Sequence, residues 1–103
     1  MDNTELKGTV KRIREMEKRF DRAASAGKRL EAALKAYEKA LADIAALKGY
    51  YGSDNWKHDF QADESGELPD GLKRGVLSED GVWDFLNDND ELVGYIKKLS
   101  LEL

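Results

Sequence analysis

The sequence has no cysteine, one proline, one histidine and no long apolar run. Without cysteine there is no disulfide, no thiolate nucleophile and no cysteine-ligated zinc. A single histidine, His58, leaves carboxylates as the main source of any transition-metal ligands. No apolar stretch approaches the roughly 20 residues of a membrane-spanning helix. The opening residues, Met-Asp-Asn-Thr-Glu, have no apolar core, so no signal peptide is expected and a cytoplasmic location is the expectation. One proline in 103 residues leaves little to interrupt helices.

Several motifs are missing as well. There is no phosphate-cradling glycine loop, no dinucleotide glycine fingerprint and no nucleophile elbow. Asp88-Asn89-Asp90 lacks the glycine that a calcium loop needs next. These absences argue against an enzyme, and no catalytic residue, metal ligand or cofactor is assigned from the sequence.

Charge is abundant: 37% of residues are Asp, Glu, Lys or Arg, against 41% apolar. That balance suits one small, solvent-rich helical domain over 1–103. The net charge of −4 is unevenly divided. Residues 1–50 carry 12 Lys+Arg and 8 Asp+Glu, a net +4, whereas 51–103 carry 5 and 13, a net −8. Such asymmetry is suited to bringing oppositely charged surfaces together. Nucleic-acid binding would use Lys7, Lys11, Arg14, Lys18 and Arg22, but acids interrupt that face and the chain is acidic overall, so it is disfavoured.

The organising feature is a pair of apolar rows. Leu6, Ile13, Phe20, Leu34 and Leu41 fall on one seven-residue spacing, with Gly27 in the same phase. Met16, Ala23, Leu30, Tyr37, Ile44 and Tyr51 fall on a second. Rows three or four positions apart form one stripe on an α-helix and give a coiled-coil-like seam. The expectation is an all-α fold with a long amphipathic helix over 4–49, N-capped by Thr4. Ser25-Ala26-Gly27 offers a second possibility, in which Gly27 ends one arm of a helical hairpin. The unbroken phase from Phe20 to Leu34 favours one continuous helix, because a turn has no reason to preserve it. A lone helical glycine costs only about 1 kcal/mol relative to alanine.

Downstream, Ser53 is a fitting N-cap for a short helix over 53–64, with Trp56 and Phe60 on one face. Residues 65–78 read as a loop marked by Gly66, Pro69, Gly71 and Gly75. Ser78 as cap, with Leu77 and Val82 as a hydrophobic staple, points to a last helix over 79–101. The stripe of that helix runs Val82, Phe85/Leu86, Leu92/Val93, Ile96 and Leu99, and Asn89 falls on it. The core expected against the second half of the long helix is Leu30, Leu34, Tyr37, Leu41, Ile44, Tyr51, Trp56, Phe60, Leu77, Val82, Phe85, Leu92 and Ile96.

Tyr50-Tyr51-Gly52-Ser53 with Trp56 and Asp59, then Gly66-Glu67-Leu68-Pro69, then the run Leu72 to Asp80, resemble a family of bacterial proteins of about this length known only as a domain of unknown function. Arg12-Ile13, Met16-Glu17 and Phe20-Asp21 are similar too. The resemblance implies a mostly helical cytoplasmic protein and carries no activity and no functional residue.

Two functional expectations follow. In the first, Leu6, Val10, Ile13, Met16 and Phe20 overhang the folded part and form an interface, either in a homodimer or with another helical protein. In the second, the aromatic and acidic 50–80 region binds a small ligand or metal through Tyr51, Trp56, His58 and Arg74. His58 and Asp59 are adjacent and diverge by about 100° on a helix, so they are not expected to pair. Arg74 is expected to pair with Asp70, Glu79 or Asp80, or to hold an anion.

Overall fold

The computed structural model describes residues 2–103. Its elements are α1 (Asn3–Tyr50), α2 (Asp54–Glu64), a single 3₁₀ turn (Gly75–Leu77) and α3 (Gly81–Ser100), with no strand among the described residues. The fold is all-α, as the spacing predicts. No described helix is long and apolar enough to cross a membrane.

Helix α1 runs unbroken through Gly27, so the hairpin does not form. The surrounding alanines and long-chain residues favour helix strongly enough to absorb one glycine. The helix starts two residues earlier than a Thr4 cap implies. Asp2, not Thr4, is the capping side chain: its Oδ1 accepts from the Glu5 amide at 2.7 Å. Two exposed i,i+4 ion pairs, Arg19–Glu15 at 3.5 Å and Lys35–Glu31 at 3.0 Å, add local support.

The chain divides into two compact units at Ala40/Leu41. The first is the stretch of α1 up to Ala40. The second begins with the last turns of α1 and contains α2, the 3₁₀ turn and α3.

In the second unit the chain turns at Gly52, which has φ 77. Ser53 then caps α2, its hydroxyl accepting from the Trp56 amide at 3.1 Å. A paired 6→1 and 5→2 closure ends α2: the amide of Glu67 reaches the Ala62 carbonyl and that of Gly66 the Asp63 carbonyl. Gly66 supplies the left-handed residue this closure requires, with φ 70. The 3₁₀ turn lies against both α2 and α3 and carries Leu77 inward.

Among the described residues the buried side chains are few: Ile44, Leu77, Val82 and Asn89. Tyr37, Tyr51, Trp56, Phe60 and Ile96 of the expected core are half-buried, but Leu30, Leu34, Leu41, Phe85 and Leu92 are exposed. On α3 the inward row is Val82, Leu86, Asn89, Val93 and Ile96. Phe85 and Leu92, next to Leu86 and Val93 in sequence, turn outward. Helix α3 also begins two residues later than Ser78-Glu79 implies. Ser78 still closes its start, the hydroxyl accepting from the Gly81 amide at 3.1 Å.

Two glycine substitutions test the backbone account with opposite signs. Gly94 lies inside α3 with open space where a Cβ would go. Gly94→Ala is expected to raise the unfolding free energy by about 1 kcal/mol. Gly66→Ala is expected to lower it by roughly 1–2 kcal/mol, because φ 70 disfavours an L side chain. Urea midpoints of the two variants, at unchanged slope, measure both effects.

Candidate functional site

Two places in the chain concentrate features that are not needed for a minimal core. One is the aromatic and acidic region from Tyr50 to Asp80. The other is the apolar seam of α1.

In the 50–80 region the aromatic rings form a short stack. Tyr51 meets Trp56 edge-on with ring centroids 5.2 Å apart, and Trp56 lies nearly parallel to Phe60 at 5.2 Å. The polar ends of the first two rings are directed at loop carbonyls. The Tyr51 hydroxyl donates to the Glu79 carbonyl at 2.9 Å. The Trp56 indole Nε1–H donates to the Val76 carbonyl at 2.9 Å. Amphipathic rings with one apolar body and one donor suit this role, burying area while satisfying a carbonyl. Of the four proposed ligand-binding side chains, Tyr51 and Trp56 therefore hold the 76–79 segment onto α2.

Arg74 pairs with Asp63 on α2 at 2.6 Å, rather than with Asp70, Glu79 or Asp80. The fold brings residues eleven positions apart together, which no local spacing announces. Arg74 borders two shallow clefts. One, of about 290 Å³, is lined by Tyr50, Asp59, Leu68, Leu72 and Val76 among others. The second, of about 420 Å³, includes Phe60, Asp63, Ser78 and Glu79.

His58 is exposed, and its Nδ1 lies 3.2 Å from Asp59 Oδ1. The expectation that these neighbours cannot pair is overturned. Their Cα–Cβ bonds diverge, but two flexible side chains curl toward each other outside the helix surface. The other Asp59 oxygen, Oδ2, accepts the Tyr50 hydroxyl at 2.6 Å. Sequence reading did not link Tyr50 to Asp59, because it placed Tyr50 past the end of the long helix.

This hydrogen bond sets the chemistry of the pair. Asp59 lies below the usual carboxylate range, chiefly because Tyr50 donates to it and secondarily because His58 does. Tyr50 is pushed up to about 12, by the same hydrogen bond first, then by partial burial and the nearby negative charge. Near neutral pH one partner is firmly ionised and the other firmly protonated. Such a pair is a static link between α1 and α2 and a poor shuttle of protons. Among the described residues no three His, Asp or Glu side chains converge as a metal site.

The seam is built differently. Leu6, Ile13, Met16 and Phe20 leave 50%, 55%, 56% and 66% of their surfaces exposed, and Val10 is half-buried. Leu30, Leu34 and Leu41 continue the exposed row. Exposure ends at Ile44, where the chain's second unit covers the same stripe. At the N-terminal end, Leu6 and Val10 are edged by Lys7, Lys11, Arg14 and Lys18. The two rows thus form one apolar strip five heptads long, edged at its N-terminal end by these basic side chains and Glu15.

The Tyr50–Asp59 bond makes a pH prediction. Because folding raises the Tyr50 pKa, its stabilising effect is complete below the unfolded value near 10 and fades as pH climbs toward 12. Ultraviolet titration of the folded protein is expected to show a late tyrosine phase, and Tyr50→Phe is expected to remove it. A titration in which all tyrosines ionise together near pH 10 contradicts the bond.

No curated protein and no solved structure matches the chain. Residues 13–99 match the family described as a domain of unknown function, DUF4298. That match spans the seam from Ile13, the aromatic stack, Arg74 and nearly all of α3, and on it the chain belongs to the DUF4298 family.

Proposed function

We propose that this protein is a non-enzymatic interaction module that works by covering the α1 seam with another helical surface, in the first instance by self-association. The single observation that carries the reading is the exposure of Leu6, Ile13, Met16, Phe20, Leu30, Leu34 and Leu41 along one face of α1. Isolated exposed apolar residues are ordinary, but a contiguous row at seven-residue spacing is a helix-pairing surface. Burying a large apolar side chain completely is worth roughly 1.5–3 kcal/mol. Half-exposed residues therefore leave about 1 kcal/mol each to be gained on pairing.

The 50–80 region supports this reading less as a ligand site than as scaffolding. Tyr51, Trp56 and Arg74 spend their polar groups on contacts within the fold. Those contacts hold the second unit together and leave the α1 seam exposed.

Light scattering on the purified chain is expected to give a mass of twice 11.6 kDa at micromolar concentration. Phe20→Asp and Ile13→Asp are each expected to weaken association by at least about tenfold, since a charge replaces a seam side chain and tenfold corresponds to about 1.4 kcal/mol. A chain that stays monomeric across the accessible concentrations, with no change in either variant, sinks the proposal.

A further inference from the structure

We infer that the seam is covered by α1 of a second copy running parallel and in register, so that each seam residue from Leu6 to Leu41 meets its own counterpart. This rests on the reading that the seam is an interface, and it specifies the occupant, its direction and its register.

The spacing of the rows restricts the direction. The row of Leu6, Ile13, Phe20, Gly27, Leu34 and Leu41 runs three residues ahead of the row of Thr9, Met16, Ala23, Leu30 and Tyr37. Three residues is the step from a to d in a heptad, so the first row holds the a positions and the second the d positions. Parallel helices set a against a and d against d, whereas antiparallel helices set a against d. Leu6 and Leu41, the two ends of the exposed row, are both a positions, 50% and 51% exposed. An antiparallel partner has to offer each of them a d residue. The register that sets Leu41 against Thr9 sets Leu6 against Ile44, which the chain already buries. Sliding by one heptad sets Leu41 against Asp2, or else Leu6 against Tyr51, whose hydroxyl is held by the Glu79 carbonyl. Every antiparallel register therefore fails at one end of the row. Parallel pairing in register gives each exposed residue an equally exposed counterpart and stops at the same level in both copies, short of Ile44. A parallel stagger of one heptad leaves an overhang at both ends and loses the closed two-fold symmetry.

The charges of α1 agree. In parallel helices a g residue faces the e residue five positions on in the partner. Arg12 at g thus meets the partner's Glu17 at e, twice by symmetry, and no two like charges meet across the seam. Among the described residues, neither Arg12 nor Glu17 makes an ion pair within its own chain. Antiparallel helices set e against e, and the register through Thr9 and Leu41 brings Glu17 to the partner's Glu31. Lys7, Lys11, Arg14 and Lys18 fall at b and f, on the outer side, so the basic borders of two parallel copies do not confront each other. Like net charge between copies is screened beyond about 8–10 Å at physiological salt, whereas the Arg12 pairs act at contact. Midway along the seam, Ala23 and Gly27 form two layers of small residues. Nothing in the chain lies within 4 Å of the space a Cβ would take at Gly27, so the two backbones have room to approach there.

The absence of cysteine makes the test direct. Met16→Cys and Leu34→Cys are prepared separately in the full chain, with the outward Lys18→Cys as control, and checked for unchanged helix content by circular dichroism. Each is oxidised alone, and the first two also as an equimolar mixture. The expected result is that Met16→Cys and Leu34→Cys each cross-link with themselves, while Lys18→Cys cross-links far less. In the antiparallel register through Thr9 and Leu41, two copies of position 16, or of position 34, lie about 27 Å apart at 1.5 Å per residue, far beyond disulfide reach. A disulfide that forms only in the mixture would show antiparallel pairing and overturn the inference while leaving self-association intact. A dimer by light scattering with no disulfide in either seam variant, or with as much in the control, would overturn the register. A charge reversal reads the direction without cysteine. Glu17→Arg is expected to weaken association about tenfold, because it sets Arg12 against an arginine on both sides of the pair, and Arg12→Glu in the same chain is expected to restore it. Unchanged or tighter association in Glu17→Arg would overturn the inference, since tightening is what a facing Glu31 produces. A monomer by light scattering would overturn both the inference and the reading beneath it.

Discussion

Half or more of the surface of Leu6, Ile13, Met16 and Phe20 faces water along one side of α1. Up to Ala40, α1 is held by its backbone bonds, its helix-forming composition and weak exposed ion pairs. Forces of that kind make a helix of this length possible in water but rarely firm, because helices in proteins draw most of their stability from packing one face. The order of the first forty residues and the covering of the seam are therefore one question. Whatever covers the row also supplies the packing that keeps it helical.

The second unit solves its own packing problem in a different way. It has few buried side chains, so it relies on directed contacts from aromatic residues. Tyr51 and Trp56 pin the segment around the 3₁₀ turn by its carbonyls, and the turn presents Leu77 between α2 and α3. Tyr50 ties the end of α1 to α2 through Asp59, and Lys48 approaches Asp90 of α3 at 3.9 Å. Each of these is modest alone, with a net hydrogen bond worth roughly 0.5–1.5 kcal/mol. Together they fix the point at which the α1 stripe passes from exposed to covered.

Much of this was readable in the residue order. The unbroken seven-residue phase across Gly27 favoured one helix over the hairpin that Ser25-Ala26-Gly27 also allowed, and one helix is what forms. Ser53 and Gly66 marked both ends of α2. The inward face of α3 was harder, because Phe85-Leu86 and Leu92-Val93 offer two neighbouring apolar rows. Spacing does not distinguish them, since both rows alternate three and four residues through Val82, Asn89 and Ile96; the fold takes Leu86 and Val93 inward and buries Asn89. No buried side-chain polar atom among the described residues lacks a hydrogen-bond partner, so that burial is compensated. The Arg74–Asp63 and Tyr50–Asp59 bonds were not readable, since each joins residues that only the folded loop brings together. The expected core was too large for a related reason. Periodicity marks which side chains share a face without saying whether the chain's own fold or another molecule covers it.

Amide hydrogen exchange along α1, followed at two protein concentrations well apart, tests the central claim most directly. If the seam is covered by association, protection of the amides between residues 13 and 40 rises with concentration, while protection around Ile44 and Val82 changes much less. If the amides from 13 to 40 are equally well protected at high dilution in a monomeric chain, the helix needs no covering surface and the account is contradicted.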